Sequence, residues 1–142
     1  MPLTYLSLKK GKSVEYRDAI HASVKSALLE VFALPLDDYS GVTLQLEPDE
    51  MYYDPNFFGL PRSEDTVFID MAWNRRTPEL KKKLYEKIAD NLEASPGLNR
   101  ADIMIVVKET APENWWVHGR SINPETGLDT RIHNPPAGST VR

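Results

Sequence analysis

The 142-residue sequence contains no cysteine. That excludes disulfides, thiolate metal sites and a cysteine nucleophile, and it suits a reducing compartment. No apolar run approaches the roughly 20 residues that span a bilayer, and the amino terminus lacks the apolar core of a signal peptide. The expected address is the cytoplasm, with no membrane partner. Positive charge is in deficit: 17 Lys and Arg stand against 21 Asp and Glu, a net charge of −4. A nucleic-acid binder needs a basic face, so no nucleic-acid partner is expected. There is no phosphate-binding glycine loop, no serine in a nucleophile elbow and no pair of histidines at metal-ligand spacing. Neither a cofactor nor a metal is expected.

What is present reads as one domain of modest core. Leu3, Tyr5 and Ser7 alternate with Thr4, Leu6 and Leu8, a strand over residues 2–8 with apolar groups on both faces, as for an interior strand covered on both sides. Ile20, Val24, Leu28 and Val31 recur at helical spacing after Ser13, a fitting N-cap, and Leu34-Pro35 ends that helix. Residues 42–46 alternate as a second strand. Residues 48–63 form an excursion whose Tyr52, Tyr53, Phe57 and Phe58 are expected to pin a loop or short hairpin to the body. Residues 66–73 form a third strand. Thr77-Pro78 is a cap with proline at the first helical position, Leu80, Leu84, Ile88 and Leu92 carry a helix to about Ala94, and residues 103–107 form a buried strand.

The halves repeat. Ser13, Ile20, Val24 and Leu28 precede Thr77, Leu84, Ile88 and Leu92 by 64 positions each (77 − 13, 84 − 20, 88 − 24, 92 − 28). A duplicated β-α-β unit, about 2–47 and 66–108, places each pair of strands parallel through a right-handed crossover. The expected fold is α+β: a four-stranded sheet with two helices on one face. The other face is apolar and bare, which predicts burial against other subunits. The domain is expected to run over 2–120, with 121–142 a tail or an arm.

Several residues could carry chemistry. Removal of Met1 leaves Pro2 as a terminal secondary amine, whose pKa burial lowers and a neighbouring carboxylate raises. It could act as base or acid near neutral pH, although proline at position 2 says nothing by itself. Arg75 and Arg76 lie between a strand end and a helix start, where a guanidinium could hold a carboxylate or simply be solvated. Asp37 and Asp38 could orient a substrate or form a turn. Trp115 and Trp116 could wall a pocket or serve packing alone. His118 and Arg120 could supply a general acid and a further anion contact.

Together, Pro2 heading a strand, the duplicated unit, the run from Arg62 to Ile69, Arg76-Thr77 before Lys81-Lys82-Lys83-Leu84-Tyr85, and Glu113-Asn114-Trp115 resemble the tautomerase superfamily. The nearest branch is that of malonate semialdehyde decarboxylase. The resemblance covers roughly residues 2–120 and implies a homotrimer with an active site near the terminal proline. It implies Pro2 as acid/base, Asp38 as the aspartate beside it, Arg76 as the arginine before the second helix and Trp115 as the pocket tryptophan. The decarboxylase pattern has a second arginine where this sequence has Asn74, so Arg75 is the extra cation. In the related cis-3-chloroacrylic acid dehalogenases the additional arginine falls at Trp73, the helix histidine near Leu28 or Leu29, and the glutamate near Val117. Efficient dehalogenation is not expected. The implied activity is keto–enol tautomerisation, with decarboxylation or hydration open, of a small carbonyl carboxylic acid. Substrate contacts fall to Arg75, Trp115, Trp116, Asn74 and His118. The alternative is a non-catalytic ligand-binding or scaffold trimer.

Overall fold

The two strongest helix starts in the sequence are capped as their residue types require. In the computed structural model, which describes residues 2–117, 119–123 and 125, Ser13 Oγ accepts from Tyr16 N at 3.1 Å and opens α1, Val14–Phe32. Thr77 Oγ1 accepts from Leu80 N at 3.2 Å and opens α2, Pro78–Ala94. Each cap satisfies an amide that has no partner in the first helical turn. α1 ends one turn before Pro35 would interrupt it, with Ala33 in the left-handed region at φ 52°. Among the described residues no helix is long and apolar enough to cross a membrane.

Four strands form the main sheet: β1 Leu3–Lys9, β2 Ser40–Leu46, β5 Val67–Asn74 and β6 Ile103–Thr110. Their order is β2-β1-β5-β6. β1 runs parallel to β2 and β5 parallel to β6, while β1 and β5 meet antiparallel, Leu3 opposite Ala72 and Ser7 opposite Phe68. Adding 64 carries β1 onto residues 67–73 and β2 onto 104–110, within β5 and β6. The two β-α-β units therefore stand side by side as pseudo-equivalents. β2 starts two residues earlier than alternation indicates, and β6 runs three residues beyond Val107. The added residues, Ser40-Gly41 and Lys108-Glu109-Thr110, are held by ladder partners that local hydropathy does not reveal.

Both helices cover one face. Leu6, Leu8, Val67, Ile69, Met71 and Trp73 meet Ile20, Val24, Leu28, Leu84, Ile88 and Leu92 in one core cluster, with the three apolar repeat-related pairs fully buried. The opposite face carries Tyr5, Val42, Leu44, Met104 and Val106, all exposed. β1 is interior to the sheet as expected, but within one chain only its helix side is covered.

Two short hairpins complete the chain: β3 Asn56–Phe57 with β4 Leu60–Pro61, and β7 Trp116–Val117 with β8 Arg120–Ser121. The aromatic excursion differs from expectation. Only Tyr53 is fastened to the body, its hydroxyl donating to Ser63 O at 2.7 Å and its ring edge-on to Phe68. Tyr52 is 98% and Phe58 89% exposed. Aromatic character alone does not say which side of a hairpin meets the core. Of the expected tail, 121–142, only residues 121–123 and 125 are described.

Candidate active site

The antiparallel register brings the start of β1 to the end of β5. Continued one residue past Leu3–Ala72, it sets Pro2 opposite Trp73, next to Asn74. On its other side Pro2 O accepts from Ser40 N at 3.3 Å, continuing the parallel ladder with β2. Two residues before Ser40, Asp38 closes a turn, its N–H donating to Pro35 O at 3.0 Å. Asp38, half-buried, thus stands two residues before the first ladder residue of β2.

The pseudo-equivalent end of the molecule shows what an aspartate in that place does. Asp102 (38 + 64) receives Ser63 N at 2.6 Å, Ser63 Oγ at 2.7 Å and Thr66 Oγ1 at 3.1 Å, and Thr66 stands at 2 + 64. In the second unit the carboxylate is buried and ties down the residues entering β5. In the first unit the matching entry residue is Pro2.

The turn after β5 carries the two arginines in opposite environments. Arg76 is 8% exposed. Its Nη1 donates to Asn74 O at 2.6 Å and Arg75 O at 3.1 Å, and its guanidinium lies 4.9 Å from the centre of the Phe32 ring. Its backbone N–H donates to Glu109 Oε2 at 2.8 Å. Arg75 is fixed through its backbone, N–H to Thr110 O at 3.2 Å, while its side chain is exposed. It lines an open cleft of about 590 Å³ together with Asn74, Glu109, Thr110, Pro112 and Asn114.

Glu109, at the end of β6, joins this turn to α2. Its Oε1 accepts from Lys81 Nζ at 2.8 Å. The Lys81 hydrogen bond, then the Arg76 amide, hold its carboxyl below the usual carboxylate range, with the Lys81 and Arg75 charges adding to the shift. The net local charge is therefore positive despite a carboxylate in the cleft.

Asn74 is 5% exposed and has its side-chain oxygen engaged: it accepts from Trp115 Nε1 at 2.9 Å and Thr110 Oγ1 at 3.4 Å. It thus ties the Trp115 ring to the end of β5. Trp115 is half-buried there, whereas Trp116 is largely exposed on β7. His118 lies outside the described residues, as does the side chain of Arg120.

Behind the Asp38 turn is a network that hydropathy reading does not detect. His21 on α1 bonds Tyr39 Oη through Nδ1 at 2.7 Å and Thr43 Oγ1 through Nε2 at 2.8 Å. Burial pushes the Tyr39 hydroxyl up to about 12, with neighbouring Thr4 opposing. Burial lowers the His21 pKa, against a smaller raising effect of Asp18. A Cβ at Gly41 would stand 2.6 Å from the His21 ring, so glycine there is what lets the ring lie against β2.

Pro2, Asp38, Asn74, Arg75, Arg76 and Trp115 thus gather at one end of the sheet. Glu109, Lys81 and Phe32 join them without having been singled out. Lys81 had entered only as part of the resembling run 81–85, and Glu109 lay beyond the expected strand 103–107.

Residues 37–117 match a family model described as tautomerase enzyme. A probable tautomerase of Bacillus subtilis (strain 168), YusQ, is 28% identical over 116 residues, 81% of this chain and 91% of that protein. The fold superposes on a malonate semialdehyde decarboxylase, solved in wild-type, mutant and inactivated forms, with a TM-score of 0.79, 23% identity, and coverage of 83% of this chain and 92% of that one. For the FG41 malonate semialdehyde decarboxylase inhibited by 3-bromopropiolate the TM-score is 0.76 and identity 30%, covering 81% of this chain and 88% of that one.

Proposed function

Because the chain belongs to the tautomerase family, we propose that it is a cytoplasmic enzyme acting on a small carbonyl carboxylic acid through the amino-terminal nitrogen of Pro2, exposed by removal of Met1. The observation that carries this reading is the meeting of three segments at one end of the sheet: the start of β1, the Asp38 turn and the Arg75–Arg76 turn. Arg76, helped by Arg75, supplies the positive field for the carboxylate, and Trp115 excludes water from one side, which strengthens those charges.

In tautomerisation the neutral proline nitrogen takes the enol hydroxyl proton while the oxygen lone pair forms the carbonyl. The electrons of the carbon–carbon double bond then accept that proton at carbon, and the nitrogen is left neutral again. No co-reactant is consumed. A second reading, decarboxylation, is favoured by the position of Asp38. A carboxylate beside an amine raises its pKa, and a cationic proline polarises a carbonyl so that the electrons released with carbon dioxide have a place to go. The related decarboxylase has both decarboxylase and hydratase activities. The unpartnered apolar sheet face supports assembly as a homotrimer, with the site completed near a neighbouring subunit.

The test is the ketonisation rate of phenylenolpyruvate by purified protein, beside Pro2→Ala. A rate well above background that falls about a hundredfold or more in the variant supports the reading. Background rates in both proteins overturn tautomerisation and return weight to the decarboxylase or to a non-catalytic trimer, which malonate semialdehyde as substrate then separates.

A further inference from the structure

β2 lies at an edge of the main sheet, with β1 as its neighbour. Continued one residue past Leu3–Ser40, their parallel register sets Tyr39 opposite Pro2. In register, Pro2 thus has Tyr39 on one side and Trp73 on the other. The next amide, Ser40 N, donates to Pro2 O at 3.3 Å, and the residue before Tyr39 is Asp38. Whatever fixes Tyr39 therefore fixes both the flank of Pro2 and the end of the Asp38 turn.

Tyr39 is fixed from the helix layer. Its hydroxyl meets His21 Nδ1 at 2.7 Å, and His21 Nε2 meets Thr43 Oγ1 at 2.8 Å. The His21 and Tyr39 rings lie edge-on, their centres 5.9 Å apart. Burial keeps the phenol protonated, pushed up to about 12, and lowers the His21 pKa, so the chain runs between neutral groups. A neutral imidazole has one N–H and one lone pair. With a hydroxyl at each end, both ring nitrogens are satisfied whichever of them carries the proton. The chain stitches α1 to residues 39 and 43, on either side of Gly41. A Cβ at residue 41 would stand 2.6 Å from the His21 ring and 3.0 Å from that of Tyr39, so glycine is what lets the stitch close. Satisfied polar networks of this kind are rigid and hold one arrangement.

We infer that His21 and Tyr39 are positioning residues for the reaction at Pro2: by stitching the segment after Asp38 to α1, they keep the terminal nitrogen and the Asp38 carboxylate in a fixed relation. The inference rests on the reading that Pro2 works as a terminal amine with Asp38 as its neighbouring carboxylate. It gives a role to a network that no step of the proposed chemistry uses. A carboxylate raises the pKa of a nearby amine, and the effect weakens with distance. A loosened segment is therefore read as a lower Pro2 pKa. The other charged groups to be held constant are Asp37 in the same turn, Arg75, Arg76 and Glu109 on the β5 side, and Asp18 of α1, which acts on His21.

The experiment is a pH titration, by nitrogen-15 NMR, of the full chain labelled at proline, where the terminal amine titrates and proline amides do not. The proteins are wild type, Asp38→Asn, Tyr39→Phe, Gly41→Ala, His21→Leu and His21→Gln, each checked for folding by thermal melting. Asp38→Asn should lower the Pro2 pKa. Tyr39→Phe, His21→Leu and Gly41→Ala should lower it in the same direction by about half a unit or more. Gly41→Ala removes no hydrogen-bonding group and only displaces the His21 ring. His21→Gln offers both an acceptor and a donor and should recover at least half of the shift seen in His21→Leu. An unchanged Pro2 pKa in Tyr39→Phe or Gly41→Ala, against a shift in Asp38→Asn, overturns the inference alone. No shift in Asp38→Asn, or no titrating proline amine in wild type, overturns it together with the reading beneath it. Turnover of phenylenolpyruvate is scored separately: its absence beside these shifts sinks the proposed reaction and leaves the positioning role standing.

Discussion

Glu109 ties two separate pieces of the site, the Arg76 turn and Lys81 of α2, to β6 through one carboxylate, so its ionisation links local order to pH. Its folded pKa is depressed. A depressed carboxyl stabilises the fold above its unfolded value, and that contribution disappears as pH falls through the folded value. The stability curve of wild type should therefore bend downward below about pH 4.5. In Glu109→Gln this segment should flatten, as read by melting temperature from pH 3 to 7. His21 is displaced for a different reason, burial. With the folded pKa below the unfolded one, the unfolded chain takes up the proton first, so stability declines as pH falls below about 6.5. His21→Gln should remove that decline in denaturant midpoints. Such residues are where the sequence was least informative. Pro2, Asp38, Arg76 and Trp115 were visible through a family pattern. Glu109 was an ordinary acidic residue until β6 proved three residues longer, and His21 had no visible partner until Gly41 let it close on β2. The different fates of Arg75 and Arg76 depend on which one the turn folds inward, and two adjacent identical letters hold no trace of that.

At the scale of elements, duplication makes paired tests available. Ser13 and Thr77 cap the two helices in the same way, 64 residues apart. Ser13→Ala and Thr77→Ala should each cost about 1 kcal/mol in chemical denaturation. Because the caps share no partners, the double variant should show the sum within about 0.5 kcal/mol. A markedly larger loss in one would mean that its cap also secures the adjoining site turn. Both helices and all four main strands could be read from periodicity, since each buries one face in a common core and repeats its spacing. The 48–63 excursion could not. Its aromatic residues suggested anchoring, yet Tyr52 and Phe58 project outward while Tyr53 alone packs, a distinction set by hairpin geometry.

For the whole molecule, the helices of one chain cover only half of its sheet. Tyr5, Val42, Leu44, Met104 and Val106 remain exposed on one surface, an arrangement that a chain working alone has no reason to keep. Sedimentation equilibrium should report three copies, and Val106→Asp should give monomers by placing a charge in the face. A wild-type monomer at micromolar concentration would contradict the proposed assembly. The same symmetry explains why one chain holds one candidate site: at the opposite end Asp102 is saturated by Ser63 and Thr66, and the terminal amine has no counterpart. Everything proposed for the chemistry therefore converges on a single nitrogen. Its most direct test is peptide mass spectrometry after exposure to 3-bromopropiolate, the acid that inhibits the FG41 relative. The expected amino-terminal peptide begins at Pro2 and carries the label on that residue. A peptide that retains Met1, or one that begins at an unmodified Pro2, would contradict a catalytic amino-terminal proline.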